Sequence, residues 1–281
     1  QSLYDTWKYL YKVIVLANKS LDIISNKSAL LSAAQEEEYR AEIRAIRAMF
    51  YYYAMDMFGR VPLVLSSAEQ LHSSLFQGQT DRSSIFQFVF QELQQVSPSL
   101  PDHNSNKEGD YYGRITQPVV NFLLAKLALN AEIYMYDDWT QGYASRPKGS
   151  DIHFSVPASD ASLRNGDKVD CRKLNAWETC IYYCDKLAEE GYVLESDDSF
   201  NFSTHNETSK ENIFTIPMDK NIYTNQFHYL FRSYHYTHGG VLGWGSENGI
   251  CATISTMKAN HYGEADEDAR CKMNFVAGVV M

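Results

Sequence analysis

The sequence lacks any uninterrupted apolar run close to the roughly 20 residues needed to cross a bilayer, and its N-terminus has no signal-peptide pattern. Positive charge is also short. Lys plus Arg number 25 against 35 Asp plus Glu, a formal net charge of −10, which argues against unassisted binding to nucleic acid or an anionic membrane surface. Neutral or cationic ligands fit better. No Gly-rich phosphate loop, nucleophile elbow or Cys/His catalytic pairing occurs, so the motifs offer neither an enzyme nor a cofactor site. Five cysteines are an odd number, so at least one cannot pair within the chain. Cys171, Cys180, Cys184, Cys251 and Cys271 show no zinc-type spacing, and buried free thiols are expected, with Cys180 and Cys184 sharing a helix face. His235 and His238 have a metal-like spacing without a third ligand in pattern. Glu264, Asp266, Glu267 and Asp268 lack the ligand order and central Gly of a calcium loop and read as a solvated turn.

At 281 residues with 44% apolar content, the chain can bury a sizeable core. Aromatics reach 14%, with 20 Tyr, a residue whose flat apolar face and hydrogen-bonding tip suit partly wet contact surfaces. Helical periodicity dominates the first half. Leu3, Trp7, Leu10, Ile14, Ala17, Leu21 and Ile24 form one stripe. A second helix begins at Ser32, whose spacing to Gln35 is that of a capping box, and stops at Gly59 and Pro62. Ile43, Ile46, Phe50, Tyr53 and Met57 mark its apolar stripe, and Ala41, Ala45, Ala48 and Ala54 admit close neighbours. The short link between these helices implies an antiparallel hairpin. A third helix follows Asp81 with Ile85, Val89, Leu93 and Val96 inward. A fourth follows Thr116 with Val120, Leu124, Leu127, Ala131 and Tyr134 on one face. A fifth, capped by Asn175, shows Trp177, Ile181, Cys184 and Leu187 and ends at Gly191. Beyond it the pattern is irregular, with one strand expected at Ile213 to Ile216.

Several stretches, in order, resemble the SusD/RagB family of outer-membrane nutrient-binding lipoproteins. The core from Arg47 to Tyr52, running into Met57-Phe58-Gly59-Arg60-Val61-Pro62-Leu63-Val64, is similar to the family's signature segment. TWKYLYKVIVLANKSLDII at 6–24 resembles its preceding helix, and NFLLAKLALNAEIYM at 121–135 its Leu-Leu-Ala-Lys helix. AWETCIYYCDKLAEEGYVL at 176–194 followed by SKENIFTIP at 209–217 resembles its helix, turn and Glu-x-Ile-Phe strand. NGICAT at 248–253 and Asp268-Ala269-Arg270 match weaker landmarks.

The resemblance implies a mainly α fold of tetratricopeptide-like stacked helical hairpins, an α-α superhelix with a loop-rich second half and a few short strands. No 34-residue repeat is legible, so periodicity only permits that fold. One domain over 1–281 is expected, helical over 1–136 and loop-rich over 137–281. The resemblance further implies non-catalytic capture of an oligosaccharide at the surface of a Bacteroidetes-type cell. Cargo would pass to a SusC-like TonB-dependent transporter, with attachment through a lipidated N-terminus absent here. It also implies truncation at both ends, because family members carry more sequence on either side.

Two long stretches without helical pattern are the places to look for a site. The second, from Asp219 to Asn248, brings Tyr229, Phe231, Tyr234, Tyr236 and Trp244 together with Asn248. Pyranose C–H faces stack on such rings while hydroxyls find amide or carboxylate partners. The first, from Asp137 to Lys173, holds Trp139, Tyr143 and Phe154, with Asp137 and Asp138 placed to accept from sugar hydroxyls. Two adjacent carboxylates do not make a glycosidase pair, which must flank the scissile bond. The same aromatics would serve a peptide in a RagB-like protein, or anchor a partner on a protein-binding scaffold, and composition alone leaves these readings open.

Overall fold

The computed structural model describes residues 3–26, 30–67, 78–158, 171–218, 221 and 252–271. The chain divides into two compact units. The first comprises residues 1–194 and 210–215, the second 195–209 and 216–281.

The first unit is a stack of helical hairpins. Helix α1 (Leu3–Asn26) runs antiparallel to α2 (Ala33–Phe58): Trp7 meets Phe58 edge-on at 5.1 Å, Tyr11 meets Tyr51, and Arg40 of α2 donates to Ser25. The capping box forms as its spacing predicts, with Gln35 N donating to Ser32 Oγ and Ser32 N to Gln35 Oε1. Gly59 closes the helix at φ +73°, a conformation that favours glycine. Helix α3 (Arg82–Val96) lies antiparallel on the other side of α2, since Phe88 meets Tyr51 while Ser99, just beyond α3, bonds Glu37.

Because α2 is packed by α1 and α3, two of its faces are inside. Its buried residues are Ala41, Ala45, Arg47, Ala48, Met49, Tyr51, Tyr52, Ala54 and Met55. The stripe expected from spacing is only partly covered, and Met57 is 59% exposed. Small residues line the tight contacts, where helix backbones approach most closely.

The link before the next helix is fastened to α2 by Arg114, which bonds Glu42 at 2.7 Å and Glu38 at 2.9 Å. The fourth expected helix is broken at Asn130 into α4 (Gln117–Leu129) and a single turn, α5 (Ala131–Tyr134), yet all its predicted inward residues are buried. Helix α6 (Ala176–Glu189) packs antiparallel on α4, with Asn121 near the start of α4 bonding Glu190 just past the end of α6.

Asn175 caps α6 in a second capping box with Glu178, but its buried residues are Ala176, Thr179, Tyr183 and Leu187. Of the expected face only Leu187 is inside. Trp177 and Ile181 are 40% and 59% exposed, because packing against Phe90 of α3 selects Tyr183 instead.

Sequence reading missed an antiparallel hairpin, β1 (His153–Pro157) with β2 (Cys171–Asn175), in register Phe154↔Leu174. Phe154 stacks on Phe90 at 4.2 Å, so it belongs to the core. The expected strand at Ile213 to Ile216 pairs with no strand among the described residues. Ile213 and Phe214 instead pack on the helical core, while Lys210 O accepts from Val193 N and Thr215 Oγ1 bonds Asn106.

In the second unit, the described residues form two 3-10 turns, Asp198–Phe202 and Asn206–Thr208, and a short helix α7 (Ile254–Ala259) capped by Thr253. The expected acidic turn is present and internally bonded. Asp266 contacts His261 at 2.7 Å, Glu267 accepts from Gly263 N, and Asp268 pairs with Arg270.

The four described cysteines are free, but only Cys271 is buried; Cys171 and Cys184 are exposed and Cys180 is half-buried. The expectation of buried thiols therefore fails for three of them: α6 turns Cys184 outward and only partly covers Cys180, and Cys171 lies exposed at the start of β2. Cys251 lies outside the described residues. Among the described residues no helix is long and apolar enough to cross a membrane.

Candidate ligand-binding surface

The signature stretch that carries the resemblance is a structural clamp. Tyr51 on α2 donates its hydroxyl to Val64 O at 2.7 Å and accepts from Val64 N at 2.8 Å. Asn18 donates to Val64 O, Tyr11 to Pro62 O, and Arg47 to Leu65 O. The Pro62 carbonyl, both Val64 backbone groups and the Leu65 carbonyl are thus satisfied by side chains of α1 and α2. Arg47 also donates to Asn18 Oδ1 and, at 2.8 Å, to Glu92 of α3, whose other oxygen receives Arg44 at 2.7 Å. Burial would raise the Glu92 pKa, but hydrogen bonds from Arg44 and Arg47 outweigh it and hold the carboxyl below the ordinary range. This network joins α1, α2 and α3 and leaves the signature residues spent on architecture.

Past α5 the chain turns into a shelf of short 3-10 turns, Trp139–Gln141 and Tyr143–Ser145. Several contacts fix its backbone. Arg82 donates to the carbonyls of Ile133 and Tyr136, Tyr136 donates to Gly142 O at 2.5 Å, and Arg60 donates to Asp137 O. The Asp137 carboxylate accepts from Ser83 N and Ser83 Oγ, satisfying a first-turn amide of α3 that the Asp81 side chain does not cap. Asp138 accepts from Thr140 N and Oγ1, bonds that hold it below the usual carboxylate range. Both carboxylates expected to serve sugar hydroxyls are therefore engaged in holding the turn.

The ring that the shelf presents is Tyr143, 57% exposed. Its partner is the guanidinium of Arg146, 3.9 Å from the ring centroid. Arg146 is itself fixed, pairing with Glu132 of α5 at 2.9 Å, while Glu132 also accepts from Gly149 N. The Gly149 amide first, and then Arg146, keep the Glu132 carboxyl below its ordinary range. An exposed Tyr ring with a guanidinium 3.9 Å from its centroid, itself paired with a carboxylate, sets aromatic surface and donors side by side, a geometry suited to the C–H face and hydroxyls of a sugar.

Of the residues named from the sequence, Trp139 has its backbone in the first turn of this shelf. Tyr229, Phe231, Tyr234, Tyr236, Trp244 and Asn248 lie outside the described residues, as do His235 and His238. Arg146 and Glu132 escaped sequence reading. Arg146 follows Tyr143 by three residues, a legible signal, whereas Glu132 reaches it across 14 positions and only the fold brings them together. Burial first, and then Cys184, push the half-buried Cys180 thiol up to about 11, the opposite of an activated nucleophile.

The first unit is thus a stack of helical hairpins carrying an exposed aromatic shelf. No family model matches the chain. It is 36% identical over 104 residues to the SusD-like protein P25 of Formosa agariphila, covering 35% of this chain and 18% of that protein. It is 24% identical over 141 residues to the starch-binding protein SusD of Bacteroides thetaiotaomicron, covering 49% of this chain and 24% of that one. The chain thus spans about a quarter or less of these curated relatives. A SusD-like protein of Bacteroides fragilis superposes with a TM-score of 0.54 at 17% identity, over 79% of this chain and 35% of that one. A structure solved with xylogluco-oligosaccharide superposes with a TM-score of 0.57 at 20% identity, over 91% and 44% of the two chains. The structural likenesses give the fold, and the sequence likenesses, each over half of the chain or less, are to SusD-like proteins.

Proposed function

We propose that this protein binds an oligosaccharide at the cell surface, without transforming it, and hands it to a TonB-dependent outer-membrane transporter. Attachment to the outer membrane would be through a lipid on the N-terminal side. The observation that carries the reading is the exposed Tyr143 ring, backed by Arg146 at 3.9 Å and held by Glu132. Such a platform needs no ordering when a ligand arrives, so little of the stacking energy is lost to conformational entropy. The names of relatives support the choice of sugar: one is a starch-binding protein and a structural neighbour was solved with a xylogluco-oligosaccharide. Trp139 is proposed as a further ligand contact. Tyr236 and Trp244 are proposed separately as ligand contacts, and Trp244→Ala or Tyr236→Ala should weaken binding without unfolding the protein.

The test is intrinsic fluorescence and affinity-gel retardation of the full chain against polysaccharides, mucin glycans and peptide pools. A glycan that shifts Trp emission and retards the protein supports the reading. Binding to peptides alone would replace sugar by peptide as the cargo, and release of reducing ends from a polysaccharide would overturn the absence of chemistry.

A further inference from the structure

Apart from the shelf, the first unit contains a cleft of about 330 Å³ between α4, α6 and the end of α3, at the lower end of the range for small-molecule sites. Its walls are unusual in the direction of their hydrogen bonds. Gln94 donates its amide to Ser155 O and Tyr183 Oη, Gln117 to Leu100 O at 2.7 Å, and Asn121 to Glu190 at 3.0 Å. Carbonyl and carboxylate oxygens only accept, so each amide must turn its NH2 end to the protein and keep its oxygen for something else. Asn121 is only 6% exposed, and its Oδ1 receives no hydrogen bond among the described residues. Asp102 and Glu189 line the same cleft with no ion-pair partner among the described residues. The Tyr192 hydroxyl, within the field of Asp102 and Glu190, is buried without a hydrogen-bond partner among the described residues.

A site rich in unspent acceptors and negative charge calls for a ligand that is cationic and rich in donors. One ammonium has three N–H groups, fewer than the amide and carboxylate oxygens available, so a ligand that also carries hydroxyls can replace the water that otherwise donates to the rest. We propose that this cleft is a binding site for an amino sugar in its ammonium form. The amine would sit against Asp102 and Glu189, and ring hydroxyls would donate to the amide oxygens of Gln94, Gln117 and Asn121. The site is separate from the aromatic shelf and does not depend on what the shelf binds.

The experiment is isothermal titration of the full chain with glucosamine, glucose and N-acetylglucosamine at about pH 6, where the free amine is protonated. Two partly exposed ion pairs predict that glucosamine binds about tenfold tighter than either neutral sugar. Asp102→Asn combined with Glu189→Gln, two exposed positions that should leave folding intact, should remove the preference. Raising the pH until the amine loses its proton should do the same in the unaltered protein. Equal affinity for glucosamine and glucose, no binding of glucosamine, or a preference that survives the double substitution would each overturn the proposal. Loss of glycan binding at the shelf through Tyr143→Ala should leave glucosamine binding unchanged, which separates failure of one site from failure of the other.

Discussion

Replacing Glu92 with Gln should cost the first unit about 3 kcal/mol, because the substitution keeps the shape of the side chain and removes the charge that two arginines share. Glu92 and Arg47 have side chains 8% and 7% exposed and meet at 2.8 Å, so this half of the network is buried. Breaking a buried pair from one side costs about 3–5 kcal/mol, since the other charge stays inside uncompensated. Arg44 is one-third exposed and can turn to water, which discounts its share and sets the sum near the lower end. About 3 kcal/mol is more than a hundredfold in the folding equilibrium and roughly 6–12 °C in Tm for a domain of this size. Urea unfolding followed by circular dichroism at pH 7 measures the gap. The sign with pH is also fixed: the Glu92 pKa is depressed, so its contribution is full above the ordinary carboxylate range and disappears as pH falls through the folded value. Wild type and variant should therefore converge in acid. A gap below about 1 kcal/mol at pH 7, or one that stays constant into acid, would refute the electrostatic account of the clamp.

Tyr51→Phe removes both hydrogen bonds to Val64 and strands its backbone amide, while Asn18 still serves its carbonyl, so a loss of about 1–3 kcal/mol is expected. Hydrogen exchange at Val64 should accelerate more than at residues of the α2 interior. Gly149→Ala would place a Cβ 2.3 Å from the Trp177 ring, which must swing outward at a cost of about 1–3 kcal/mol. A red shift in Trp emission should accompany the lower stability; unchanged emission would mean that the backbone moved instead of the ring.

The helices were legible because their signals are local. Ser32 and Gln35 close a capping box, Asn175 and Glu178 another, and Ile85, Val89, Leu93 and Val96 all face the core as their spacing requires. What failed was the choice of face where a helix is covered on two sides or fits more than one stripe. In α2 the Ala-rich side lies deeper than the larger apolar stripe, and in α6 the pull of Phe90 on Tyr183 turns Trp177 and Ile181 outward. The β-hairpin was hidden because its strands are five residues each and are held by Phe154 on a distant helix, not by local alternation. At the shelf, the aromatic content of the loop marked Trp139, Tyr143 and Phe154 alike, and only the fold separates the exposed Tyr143 from Phe154 against the core. That Asp137 and Asp138 are occupied with backbone groups, and that Glu132 orders Arg146, are facts of tertiary contact which no spacing in the chain contains.

The proposed function requires the Tyr143 shelf to hold a sugar. The most direct measurement is the affinity of the full chain and of Tyr143→Ala for a glycan identified by the screen, with thermal unfolding followed in parallel. Tyr143 is exposed and its ring supports no core contact in the hydrophobic cluster, so folding should be unaffected. Loss of one aromatic stacking surface should weaken binding about tenfold or more. An affinity unchanged within twofold, in a variant that unfolds at the wild-type temperature, would contradict the account and remove the shelf from the binding site.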